Sequence, residues 1–207
     1  MKTHTQPMLP EYYYHIFNRG INGEQLFKQE RNYDYFLKKY AHFIEPIATT
    51  YAYVLMGNHF HFLVRLKTEA EIRQNVAPQS DKSIQHIISH QFARLFSSFA
   101  QAINKQEKRT GSLLEESFRR IPVGSEAYAA QMVYYIHFNP QKHKFTKDFR
   151  TYPYSSYHAF MQKGLTRIPR EEVYGWFGSQ KTFNAYHGIT QDFDDKWLDD
   201  NWIDFDN

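Results

Sequence analysis

The stretch GNHFHFLV at 57–64 carries two imidazoles, His59 and His61, separated by a single phenylalanine. In an extended strand, residues i and i+2 project to the same side, so both histidines share one face while Phe60 and Phe62 turn to the other. Two rings on rigid backbone make half of a metal site, although strand histidines bonded to their neighbours would have the same spacing. With eleven His in the chain, the pair gains meaning only from a third group. The segment YAAQMVYYIHFNP (128–140) offers one. At helical spacing Tyr135 and Asn139 lie four apart and face the same way, presenting a phenol and an amide oxygen together. Ala129, Val133 and Ile136 fall on an adjacent apolar face suited to packing on a sheet, and Tyr134 and His137 point away. An ordinary core tyrosine and a helix C-cap before Pro140 are the alternatives for Tyr135 and Asn139. His86 and His90, four apart on a helix with no carboxylate or third histidine near in sequence, read as helix surface.

Composition narrows the chemistry. The 207 residues include no Cys, which excludes disulfides, thiol nucleophiles and thiolate metal sites. Any metal must then sit among nitrogen and oxygen donors. The formal charge of +3 conceals an asymmetry: the acidic stretch 191–207 carries −6, and residues 1–190 carry +9. A basic body suits a polyanionic partner. Neither a signal peptide nor an apolar run of membrane-spanning length is present, so a cytoplasmic protein with no membrane contact is expected.

The elements that must position these groups are legible in outline. YYYHIFNRG (12–20) reads as a strand running into a turn, and 31–44 as a helix with Tyr33, Phe36, Leu37, Tyr40, Ala41 and Ile44 on one face. Strands 49–56 and 59–66 flank a Gly57–Asn58 hairpin turn. A polar loop is expected over 67–80 and a long helix over 83–104, its stripe made by Ile84, Ile87, Ile88, Leu95, Phe96, Phe99 and Ile103. A basic connection and a possible short strand occupy 105–120. A helix follows over 124–141, with Ser125 as its cap and Pro140 as its stop. The order predicts an α+β domain with a central antiparallel sheet and helices on one face. It divides into residues 1–150 and an accessory C-terminal region, 151–207, in which REEVYGWF is helical and Trp197 and Trp202 are expected to help dock the acidic end on the basic body.

The segments YYYHIFNRG, VLMGNHFHFLVR, RTGSLLEESFRR, YYIHFNPQKHKF and YPYSSYHAF, in this order over about residues 10–160, resemble the IS200/IS605-like single-tyrosine transposases. These belong to the HUH class, named for His–hydrophobe–His, and the resemblance is greatest to the REP-associated branch. Gly57 stands where relatives commonly carry proline. The resemblance implies a ferredoxin-like HUH fold and a metal site of His59, His61 and Asn139 holding Mg²⁺ or Mn²⁺. It also implies that Tyr135 cleaves and rejoins single-stranded or hairpin DNA through a 5′-phosphotyrosine link. Tyrosine has an ordinary pKa near 10, so Tyr135 must lose its proton during attack. Arg19, Lys105, Lys108, Arg109, Arg119 and Arg120 are the expected phosphate contacts, and a homodimer and a nucleoid location are further implications. Two alternatives stay open: a binding module for structured nucleic acid that no longer cuts, and a metal-dependent phosphodiesterase using water.

Overall fold

The computed structural model describes residues 6–115 and 118–189. Strand β1 (Tyr13–Arg19) leads through a short 3-10 turn to helix α1 (Glu30–Phe43), then to the hairpin β2 (Ala48–Met56) and β3 (His59–Leu66). Helices α2 (Glu69–Val76) and α3 (Ile84–Gln106) precede β4 (Arg119–Val123) and α4 (Glu126–Lys142). Three short helices follow, α5 (Tyr157–Met161), α6 (Arg170–Trp176) and α7 (Gln180–Gly188). The sheet order is β2-β3-β1-β4 with antiparallel pairing throughout. This is the split βαβ arrangement of a ferredoxin-like, HUH-type fold: a four-stranded sheet flanked by helices.

Alternation along β3 divides the molecule into two cores. Phe60, Phe62, Val64 and Leu66 face α1 and α3, where Phe36, Phe99 and Ile103 complete an apolar layer. Each such side chain contributes about 1.5–3 kcal/mol on burial. On the opposite side Leu63, Val54 and Met56 meet Val133 and Ile136 of α4. Helices therefore cover both faces, not the one expected, because the sheet is apolar on both sides of β2 and β3.

Helix α4 itself is buried nearly all round: Val133, Tyr135, Ile136 and Asn139 are buried, and so are Tyr134 and His137. Phe183 and His187 of α7 lie behind it. Ser125 caps it as expected, accepting from the Tyr128 amide. Pro140 does not stop it; the helix runs on to Lys142, since a proline in the last turn removes only one hydrogen bond. A second correction concerns 67–80, expected as loop. Thr68 and Glu71 form a reciprocal capping box there that starts α2.

Candidate active site

The register of the sheet builds the site. His59 pairs with Arg19 and His61 with Phe17, and Phe17 pairs in turn with Arg119 on β4. Directly paired residues share a face, so His59, His61, Arg19, Arg119 and His15 all lie on the α4 side. Both predicted histidines are buried there. The His59 and His61 rings stand 5.3 Å apart between centroids and nearly perpendicular. Phe60 is wholly buried in the opposite core and anchors the strand between them.

Hydrogen bonding fixes which ring atoms are available for chemistry. His59 Nδ1 lies 2.7 Å from Asn58 Oδ1, an atom that can only accept, so Nδ1 carries the proton. The His59 Nε2 then bears the lone pair, and it is buried. His61 Nδ1 lies 2.9 Å from His15 Nε2, with the two rings stacked in parallel. Burial drives the His59 imidazole down to about 3, helped by the neighbouring His143 and Arg19 charges, and burial holds His61 and His15 well below the usual range. All three rings are neutral at physiological pH, the form that can donate to a metal.

Helix α4 brings the phenol. The Tyr135 ring meets His61 edge-on at 5.8 Å and His15 at 6.1 Å. Lys142 Nζ lies 5.8 Å from the same ring, and His143 packs edge-on against His59 at 4.8 Å. One turn beyond Tyr135, Asn139 is fully buried and donates its amide Nδ2 to the Tyr135 carbonyl (2.8 Å). Its Oδ1 is buried with no hydrogen-bond partner among the described residues. An acceptor so placed costs about 1–3 kcal/mol unless something fills its need. Among the described residues no group of three or more His, Cys, Asp or Glu is arranged to hold a metal ion. The buried, unpartnered Asn139 Oδ1 is a neutral amide oxygen, a donor type that hard cations accept.

The predicted phosphate contacts separate into groups. Arg19 is ion-paired with Glu115, and Arg119 lies 4.0 Å from the same carboxylate. Arg109 pairs with Glu24 at 2.8 Å and also bonds Asn104 and Ser112. Arg120 points to the opposite face, over the Phe118 ring and bonded to the Gln6 carbonyl. Lys105 and Lys108 are exposed at the end of α3. Only Arg19 and Arg119 share the histidine face. His15, Lys142 and His143, which meet the rings of His61, Tyr135 and His59, were not in the predicted set. Alternation in YYYHIFNRG placed His15 on one face of its strand, but its meeting with His61 depends on a pairing 46 residues apart.

No protein-family profile and no curated protein sequence matches the chain. Among solved structures, it is similar to a REP-associated tyrosine transposase bound to a REP hairpin. The TM-score is 0.60 at 17% identity, covering 80% of this chain and 88% of that one. The tRNA(His) guanylyltransferase of Saccharomyces cerevisiae (TM-score 0.44, 12% identity, 92% and 83% covered) is more distant. So is a bacterial guanylyltransferase-like protein in complex with ATP (0.43, 10%, 86% and 75%). The first likeness shows a shared fold. No helix among the described residues is long and apolar enough to cross a membrane.

Proposed function

We propose that the chain cleaves and rejoins single-stranded DNA next to a hairpin, as a REP-associated tyrosine transposase, with Tyr135 as nucleophile. The observation that carries this reading is the meeting of Tyr135 with His61 and His15 from three separate segments, with an unpartnered Asn139 oxygen one turn along the helix of Tyr135. His59 and His61 through Nε2, and Asn139 through Oδ1, would hold Mg²⁺ or Mn²⁺, which supplies polarisation and orientation of the scissile phosphate. Three neutral donors fall short of what a hard cation prefers, leaving places for water and a phosphate oxygen.

Tyr135 Oη attacks phosphorus as its proton is lost, and the bond from phosphorus to the 3′ oxygen of the preceding nucleotide breaks. That oxygen leaves as a 3′-hydroxyl, and the 5′-phosphate stays on Tyr135. Attack by a 3′-hydroxyl reverses the exchange, so phosphodiester bonds are conserved and no external energy source is needed. Lys142 offers positive charge to the developing phenolate. His15 holds His61 through Nδ1 and so aims its Nε2. Arg19 and Arg119 exchange part of their pairing with Glu115 for DNA phosphate. Lys105, Lys108, Arg109 and Arg120 serve the flanking duplex or a second copy of the chain in a homodimer. Residues 151–207 act as an accessory region, and the protein works in the cytoplasm on nucleoid DNA.

The test uses a panel of labelled hairpin oligonucleotides with single-stranded flanks, incubated with Mg²⁺ or Mn²⁺. A free 3′-hydroxyl fragment together with a protein-blocked 5′ fragment is expected, and both vanish with EDTA. Free 5′-phosphate ends without a blocked fragment would mean a water-using phosphodiesterase. Tight binding with intact oligonucleotides under all conditions would mean a binding module.

A further inference from the structure

Helix α4 ends in a turn that the proposed chemistry does not use. The Phe145 amide donates to the Pro140 carbonyl (2.8 Å) and the Lys144 amide to the Gln141 carbonyl (3.1 Å), the paired bonds of a Schellman ending. The pivot of this ending must be left-handed, and it is Lys144, at φ 61°, where glycine is usual. The reversal throws the next side chain, Phe145, back toward the site. Its ring lies 6.1 Å from the His59 ring. It also packs over the hairpin turn, where a Cβ on Gly57 would come within 3.3 Å of Phe145 Cε1. Phe145 is nevertheless 39% exposed, one of few large apolar side chains in the described residues left open to solvent. Lys144 and Lys147 are exposed on either side of it, and Lys142 reaches the Tyr135 ring. The nearby carboxylate, Asp148, is held by Arg150.

We propose that Phe145 is a stacking platform for an unpaired nucleobase flanking the phosphate that Tyr135 attacks, with Lys144 and Lys147 holding the adjoining backbone. An exposed aromatic face flanked in sequence by cations is what sequence-tolerant binding of single strands needs. The turn fixes the ring before the strand arrives, so stacking sets the register of the strand over Tyr135. This rests on the proposed DNA chemistry for its position relative to the cut, but the stacking itself does not require cleavage.

The experiment uses the full chain and a short oligothymidylate carrying one 2-aminopurine, alone or joined to a hairpin stem. The Tyr135→Phe protein should quench the fluorescence of the base. Adding Phe145→Ala or Phe145→Leu should abolish the quenching and weaken binding about tenfold. Phe145→Trp should restore both. The Leu variant keeps an apolar side chain at the turn, so a loss seen with it as well as with Ala points to the missing aromatic face. Quenching and affinity unchanged in the Ala and Leu variants would overturn the proposal. Because the readout is fluorescence without cutting, it decides the platform even if Tyr135 proves not to be a nucleophile. In an otherwise wild-type protein that cleaves, Phe145→Ala should also scatter the cut position.

Discussion

Asn139 sits in an arrangement that folding alone does not favour. Its amide donates to the helix backbone, while its oxygen is sealed from water with no hydrogen bond among the described residues. Removing such a group takes away a small gain and an unmet need together, so Asn139→Ala should change unfolding free energy by less than about 1 kcal/mol. Cleavage should fall about a hundredfold or more in the same protein, read by denaturant melts beside an oligonucleotide assay. A loss of several kcal/mol would make Asn139 a structural residue. At this scale the sequence disclosed what local periodicity can carry: His59 with His61, and Tyr135 with Asn139. It did not disclose His15, whose contact with His61 is a matter of strand register. Charge was the least informative feature, because a cation's sign says nothing of the face it lies on or the carboxylate it meets. Arg120 and Arg109 were grouped with Arg19 and are placed elsewhere.

Among the elements, the end of α4 gives a second test. Lys144 pays the left-handed penalty of an L-residue, so Lys144→Gly should raise stability by up to about 1 kcal/mol, measured in urea. A decrease would show that Lys144 makes contacts worth more than the strain. Thr68→Ala should cost about 1 kcal/mol by removing the α2 cap. That helix escaped the periodicity reading because its one buried residue is Ile72, too little to make a stripe. The capping box itself was present in the sequence. Helix α4 was placed correctly, but its Pro140 was read as a stop, and nothing local says that a proline falls within the last turn. The hairpin was plain because a Gly–Asn turn sits between two alternating strands.

For the whole molecule, the second core ties the C-terminal helices to α4. His187 Nδ1 donates to the Phe183 carbonyl (2.9 Å), and its Nε2 faces His137 Nδ1 (3.0 Å). His137 Nε2 in turn meets the Ser156 hydroxyl (2.9 Å), so the chain of bonds is complete with both rings neutral. Burial lowers the His187 imidazole to about 4. The unfolded chain takes up this proton near pH 6.5 and the folded one resists it. Stability is therefore full above that pH and declines as pH falls toward 4, by about 3 kcal/mol from this group. Melts at pH 7 and pH 4 should show that decline reduced in His187→Gln; an unchanged slope would place the proton uptake elsewhere. Phe183→Ala should cost roughly 3–5 kcal/mol. The strand–helix order foretold the sheet, but not the covering of both faces, because nothing in that order says that α4 packs on the face opposite α1 and α3. The expected docking of residues 191–207, with Trp197 and Trp202, lies outside the described residues.

In the proposed reaction Tyr135 becomes covalently joined to DNA. The direct measurement is mass spectrometry of tryptic peptides after incubation with a hairpin oligonucleotide and Mn²⁺. A nucleotide-bearing peptide with the modification on Tyr135 is expected, absent in Tyr135→Phe although that variant still binds the hairpin. Cleavage that persists in Tyr135→Phe, or an adduct on another residue, would contradict it.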